Sequence, residues 1–214
     1  IKKLHPECKV YGVQAAGAPS MKESLEKKEA ITLGSVSTFA DGIAVKHPGD
    51  LTFDLVSRYV DGVVTVTDDE TACAVLALME KQKLVTEGAG AVAVAAAMFG
   101  KVDLAGKKVV CLLSGGNIDV NILSRVITRG LVMAGRNSTL TLQLEDKPGQ
   151  LKDVSEIISR CGGNVVRVHH NQSDTNMAIT SCYLTVSMET RDKEQVEEIK
   201  RELVKAGFQL ISNT

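Results

Sequence analysis

The hydrophobic periodicity of this 214-residue chain changes character once, near "AGRNS" (Ala134–Ser138), and that change limits what the chain can fold into. Before it, strand-like apolar runs alternate with helix-like stripes, the order of an α/β unit. "KVYGVQA" is a short strand, followed by the amphipathic "SMKESLEKKEA". Val63–Thr67 is a β-branched strand, and the hydroxyl and acidic run Thr67–Glu70 suits a helix N-terminus. The helix it starts is expected over Thr71–Gln82, with Val75, Leu78 and Met79 on one face. "VTEGAGAVAVAAAMFG" is a helix of small residues that makes sense where other backbones approach closely. "KKVVCLL" is apolar on both faces, which predicts a fully buried strand of a parallel sheet, and "NIDVNILSRVITRGL" is the helix after it.

Beyond Arg136 the pattern reads βαββαβ. "TLTLQLE" alternates strictly, "DKPGQ" is a turn, and Leu151, Val154, Ile157 and Ile158 form a helical stripe ending at "CGG". "NVVRVHHNQ" and "TSCYLTVSME" are two further strands, "DKEQVEEIKRELVKAG" is a second amphipathic helix, and "FQLIS" closes the chain. This is the ferredoxin-like arrangement, α+β, and it sets two domains, 1–136 and 137–214. Helices cover one face of such a sheet. Leu140, Leu142, Leu184 and Val186 read as apolar residues that leave little polar surface for the other face, so a second copy is expected to cover it and the free edge.

Composition removes several classes of function. Net charge is -1 with no basic run, so neither nucleic acid nor an anionic membrane is an expected partner. The five cysteines (Cys8, Cys73, Cys111, Cys161, Cys182) are scattered without a CxxC pair, which argues against a zinc or disulfide framework and fits a cytoplasmic location. The pair His169–His170 lies on one strand, where neighbouring side chains point to opposite faces, and both are read as structural. No metal is expected. The first residues, "IKKLHPECKVYGVQ", lack an initiator Met, a signal segment and a transit-peptide bias, and read as a chain that begins inside a larger protein.

The stretch "VVCLLSGGNIDVN" (Val109–Asn121) carries the chemistry. Backbone N–H groups at a glycine turn before a helix form an anion site. "SGGN" could therefore cradle a phosphate or hold another part of a cofactor. The residues alone also allow Ser114 to be a cap of the following helix, and Glu87, at the start of the Gly/Ala helix, to be an acid facing its dipole.

The runs "VYGVQA", "TFADGIAV", "HPGDLTFDLV", "VVTVTDDE", "VTEGAGAVA" and "LLSGGNIDV" occur across residues 1–136 in the order found in the threonine ammonia-lyases, and this half resembles the C-terminal part of that pyridoxal 5'-phosphate-dependent family, closest to its catabolic form. The family also holds serine dehydratases and serine racemases. The resemblance implies a partial fold-type II domain, similar to the tryptophan synthase beta subunit. It implies β-elimination of L-threonine to 2-oxobutanoate and ammonia, with L-serine slower. It places Ser114 at the pyridine nitrogen, with Gly115, Gly42 and Glu87 around the ring. The phosphate-binding loop and the Schiff-base lysine of the family would precede Ile1, so the fragment alone is expected to be inactive. Cations bound beside the "GVQA" strand in some members are not expected, since Gln14 and Ser20 stand there without an acid.

Residues 137–214 resemble an ACT domain, an amino-acid-sensing module, through the βαββαβ order, "DKPGQL" and "GGNV". This implies an amino-acid effector, isoleucine or valine, held near Gly149 and Asn164 in a homo-oligomer, a dimer or tetramer. Read without the resemblance, Gly149 is equally a turn glycine and Asn164 a cap. Two other readings stay open: an amino-acid-sensing ACT module without catalysis, and a serine dehydratase or racemase as parent.

Overall fold

A computed structural model describes residues 1–172 and 178–211. It resolves into two compact units that divide between Gly130 and Leu131, inside a helix.

In the first unit, strands β1 (Tyr11–Ala15) and β2 (Gly62–Val66) pair in parallel, Tyr11 beside Gly62 and Ala15 beside Val66. Helices α1 (Ser20–Lys27) and α2 (Asp50–Tyr59) connect them. The capping run works as its sequence suggests. Thr67 accepts from the Glu70 N–H at 3.2 Å, and the Glu70 carboxylate accepts from the Thr67 N–H at 2.8 Å. Helix α3 therefore starts at Asp68, three positions before the expected start, because the acids belong to its first turn. It ends at Ala77, and Leu78–Gln82 continues as one π-helical turn. Helix α4 (Gly88–Met98) is the Gly/Ala helix. Val66, Val75, Leu78, Ala91, Ala95 and Val126 are among the residues buried together in its core.

The strand expected at Val109–Leu113 does not form. The segment has no strand hydrogen bonding among the described residues, and Val110 and Leu112 are 95% and 77% exposed. Apolar residues on both faces encode a strand enclosed by a sheet. The sheet of this unit comprises β1 and β2, and this segment pairs with neither. Helix α5 (Val120–Met133) follows it, and the unit division falls near its end.

The second unit is a four-stranded antiparallel sheet of β3 (Asn137–Glu145), β4 (Asn164–Asn171), β5 (Ser181–Glu189) and β6 (Gln209–Ile211), in the order β4-β5-β3-β6. Helices α6 (Gln150–Arg160) and α7 (Lys193–Lys205) complete the ferredoxin-like fold. Leu140, Leu142, Leu144, Cys182, Leu184, Val186 and Met188 share a core with Val154, Ile158, Ile199 and Leu203 of the helices. The strand leucines and valines thus lie on the helix-covered face. The opposite face is polar. Thr139 meets Ser187 and Thr141 meets Thr185 through hydroxyl pairs, each at 3.1 Å. The expectation that an apolar sheet face demands cover is corrected: the alternation places its apolar half against α6 and α7, and the other half solvates itself. The edges remain open: β4, exposed along most of its length, on one side and the three-residue β6 on the other.

Within the second unit, Gly135 turns at φ +70° and its carbonyl accepts from the buried Thr190 hydroxyl at 2.5 Å. Among the described residues, no helix is long and apolar enough to cross a membrane.

Candidate cofactor and effector sites

Four residues singled out in the sequence, Gly42, Glu87, Ser114 and Gly115, meet in the first unit. Glu87 holds the N-cap position of α4, yet its side chain makes no cap bond to that helix. Its carboxylate instead accepts from the Asn117 N–H at 3.2 Å, in the loop that follows the apolar segment. Its own N–H reaches the Gly115 carbonyl at 3.4 Å. The anion at the "SGGN" loop is therefore the protein's own carboxylate. The acid-facing-the-dipole reading of Glu87 describes its position but not what its side chain does.

Glycines make this approach possible. A Cβ on Gly115, which sits at φ +78°, would lie 2.4 Å from the Glu87 carboxyl carbon. A Cβ on Gly42 would lie 3.3 Å from Glu87 Oε1 and 3.1 Å from the Ala89 methyl. On α4, a Cβ on Gly90 would fall 1.9 Å from the Ser114 carbonyl oxygen, and one on Gly88 2.7 Å from the Phe39 ring. The small residues of α4 thus let its first turn press against the Ser114–Gly115 backbone, which their sequence pattern suggested without naming the target.

Ser114 is exposed and does not cap α5, because Asp119 does: its Oδ1 accepts from the Asn121 and Ile122 N–H groups at 2.8 and 3.3 Å. Beside Glu87, the Thr86 hydroxyl is buried without a hydrogen-bond partner. Such an atom costs about 1–3 kcal/mol unless something bonds it. Thr86 and Asn117 were not singled out in the sequence, and the residue pattern carries no signal for either. Further along the same unit, Arg129 clamps Asp69 through both Nε (2.5 Å) and a terminal nitrogen (2.9 Å), tying α5 to α3. That bond and the guanidinium charge hold the Asp69 carboxyl below its ordinary range, against a smaller upward push from burial. At the "GVQA" strand, Gln14 Oε1 accepts from the Lys22 N–H at 2.9 Å and so secures the first turn of α1.

These residues fit a pyridoxal group. A bound group needs polar partners, and the buried Thr86 hydroxyl stands unpaired next to Glu87. A ring nitrogen needs a donor or an acid, and Ser114 offers an exposed hydroxyl.

In the second unit, Gly149 is the N-cap of α6 at φ +99°, and a Cβ there would meet nothing within 4 Å. It lines a cavity of about 370 Å³ together with Leu144, Asp146, His170 and Cys182. Burial, and then the charge of Asp146, push the Cys182 thiol above its usual pKa. Asn164 lies elsewhere. It begins β4 opposite Glu189, whose carboxylate accepts from its side-chain amide at 3.0 Å, and Glu189 stands opposite Asn137 at the start of β3. Gly149 follows the other end of β3. Within one chain the structure therefore does not bring Gly149 and Asn164 together. The eight-residue run of β4 separates them by roughly 25 Å along the strand direction.

Residues 1–115 match the family described as "Pyridoxal-phosphate dependent enzyme". An L-threonine ammonia-lyase of Thermotoga maritima is 47% identical over 98% of this chain and 52% of its own length. One from Geobacter sulfurreducens is 41% identical over 97% of this chain and 52% of its own. The chain spans about half the length of the curated relatives it matches. Among solved structures, the processed form of threonine deaminase isoform 2 from Solanum lycopersicum superposes with a TM-score of 0.57 at 33% identity, over 61% of this chain and 37% of that one. Maize serine racemase superposes with a TM-score of 0.53 at 30% identity, over 62% of this chain and 41% of that one. With more than half of its length matched to the family, this chain belongs to the pyridoxal-phosphate dependent enzymes.

Proposed function

We propose that the chain is part of a threonine ammonia-lyase, in which residues 1–136 furnish the ring-facing wall of the cofactor site and residues 137–214 act as an ACT-type amino-acid sensor. The observation that carries the catalytic reading is the gathering of Gly42, Glu87 and Gly115 beside Ser114, with the Thr86 hydroxyl buried and unpaired next to them. The similarity to L-threonine ammonia-lyases supports L-threonine as substrate.

Bound there, pyridoxal 5'-phosphate supplies an electron-withdrawing ring that stabilises negative charge at the substrate α-carbon. Ser114 would donate a neutral hydrogen bond to the ring nitrogen. A hydroxyl does not hand over a full proton, so charge stays near the substrate and loss of the β-hydroxyl is favoured. Glu87 would fix the loop that carries Ser114 through the Asn117 N–H. Gly42 and Gly115 would leave room for the Glu87 carboxylate beside that loop. Thr86 would give its unpaired hydroxyl to the bound group.

In the sensor, Gly149 and Asn164 lie at opposite ends of the sheet, so a shared effector site draws on two copies. Antiparallel pairing of two β4 edges across a two-fold axis would bring Asn164 of a second copy to the Gly149 turn. The effector is an apolar amino acid, isoleucine or valine, and the assembly is a dimer or tetramer.

The test is turnover. The full-length protein, loaded with cofactor, should release 2-oxobutanoate and ammonia from L-threonine faster than it deaminates L-serine. Ser114→Ala should lower kcat/KM by roughly 2- to 13-fold, the worth of one neutral hydrogen bond. Gly149→Val should abolish calorimetric binding of isoleucine and valine. Absence of 2-oxobutanoate sinks the catalytic reading, and unchanged effector binding in Gly149→Val sinks the sensor site.

A further inference from the structure

The cavity beside Gly149 contains a set of side chains with no part in the function above. The Asp146 carboxylate, a ring nitrogen of His170 and the Cys182 sulfur all lie within 4.8 Å of one another. They come from three different elements: the turn after β3, the end of β4, and the start of β5. We infer that Asp146, His170 and Cys182 form a binding site for a divalent transition-metal ion of the zinc class, open to the cavity on its fourth side.

The donor set decides the class of ion. One carboxylate oxygen, one imidazole nitrogen and one thiolate suit zinc and its first-row neighbours, whereas magnesium and calcium take oxygen ligands. Three protein ligands with an open position is the arrangement of reactive or ligand-binding zinc rather than of a closed structural site. Tetrahedral zinc holds its ligand atoms about 3.3–3.8 Å apart, so the trio must contract by about 1 Å. Asp146 and His170 are exposed and can turn inward, while Cys182, buried in the sheet, is the fixed point.

The surroundings are already arranged for this. Gln172 donates to one Asp146 oxygen at 2.7 Å, and the Asp146 N–H is held by the Thr180 carbonyl at 2.8 Å, so the carboxylate is oriented from behind. A carboxylate has lone pairs left for a metal after one such bond. On β4, His170 stands opposite Leu184 and His169 opposite Thr185. Strand alternation therefore sends His170 to the face of Cys182 and His169 to the hydroxyl face. The two histidines do not form a site with each other, as their spacing says; His170 finds its partners on other strands. Binding breaks the Cys182 S–H bond, forms a sulfur–metal bond and releases one proton to solvent. This inference stands independently of amino-acid sensing in the same cavity.

Cobalt(II) is the probe, on this chain after dialysis against a chelator. A thiolate-to-cobalt charge-transfer band should rise in the near ultraviolet, saturate at one equivalent per chain, and vanish when zinc is added. His170→Ala and Asp146→Asn should each weaken cobalt binding at least 10-fold, the scale of losing a ligand. Cys182→Ala should lose the band. His169→Ala, one residue away on the other face, should bind as wild type. Because Cys182 is buried, circular dichroism checks that its variant folds; the exposed His170 and Asp146 variants test the site without that risk. Cys8 is exposed, so Cys8→Ser should keep the band. No band in wild type, a band that survives Cys182→Ala, or equal losses in His169→Ala and His170→Ala would each overturn the assignment.

Discussion

Replacing Gly115 with alanine should damage the first unit through one identifiable contact. The new Cβ would sit 2.4 Å from both the Glu87 carboxyl carbon and Oε1. Ordinary contact begins near 3.4 Å, so the carboxylate must retreat by about 1 Å, which parts it from the Asn117 N–H now at 3.2 Å. The left-handed backbone at φ +78° adds strain of about 1–2 kcal/mol for a residue with a Cβ. A hydrogen bond to a charged acceptor is worth about 1.5–3 kcal/mol, and the lower end applies here because Asn117 is exposed and water replaces its partner. The total is about 2.5–3.5 kcal/mol. In a Glu87→Ala background the collision is gone, and the same substitution should cost only the backbone strain. The two changes should therefore couple by roughly 1 kcal/mol or more in a double-mutant cycle. Two compact units make whole-chain unfolding a poor measure, so hydrogen exchange on peptides spanning residues 84–98 and 112–123 is the assay. Costs that add within about 0.3 kcal/mol would refute the contact.

Three further outcomes follow from named contacts. Gly90→Ala places a Cβ 1.9 Å from the Ser114 carbonyl oxygen, a rigid neighbour, and should destabilise by about 3 kcal/mol, read as lost exchange protection in α4. Thr190→Val removes the buried hydroxyl that donates to the Gly135 carbonyl and should cost the second unit about 1–3 kcal/mol by urea titration of its exchange-protected strands. The Asp61 carboxyl is held well below the usual carboxylate range by Lys2, then by the Val10 N–H and Lys9. A depressed folded pKa gives stability present above the ordinary carboxylate value and lost as pH falls below it, so Asp61→Asn should flatten the acid limb of stability below about pH 4, and an unchanged limb would count against this anchor.

The second unit was legible because its periodicities are local. Strict alternation at Leu140–Leu144 and the stripe Val154, Ile157, Ile158 each need only a few residues to declare themselves, and the capping run at Thr67 does the same in the first unit. What alternation cannot show is which face carries which half, so the polar hydroxyl pairs at Thr139 and Thr141 were hidden behind the leucines beside them. Val109–Leu113 failed for the opposite reason: its apolar residues announce burial, but burial depends on neighbouring strands that the segment itself does not specify. The close packing at the "SGGN" loop was legible through glycines that only a close approach explains. The bond from Asn117 to Glu87 joins residues thirty positions apart and leaves no trace in either local pattern. The same holds for the Asp146, His170, Cys182 trio, where the neighbouring histidine distracts from partners on other elements.

The central claim is that the "SGGN" loop meets the cofactor ring rather than its phosphate. A crystal structure of the full-length protein with pyridoxal 5'-phosphate bound measures this in one distance. The account predicts the Ser114 hydroxyl oxygen at hydrogen-bond distance from the pyridine nitrogen, about 2.7–3.2 Å, with the Asn117 N–H still bonded to Glu87. A phosphate lying against the Gly115–Asn117 amides, with Ser114 away from the ring, would contradict it.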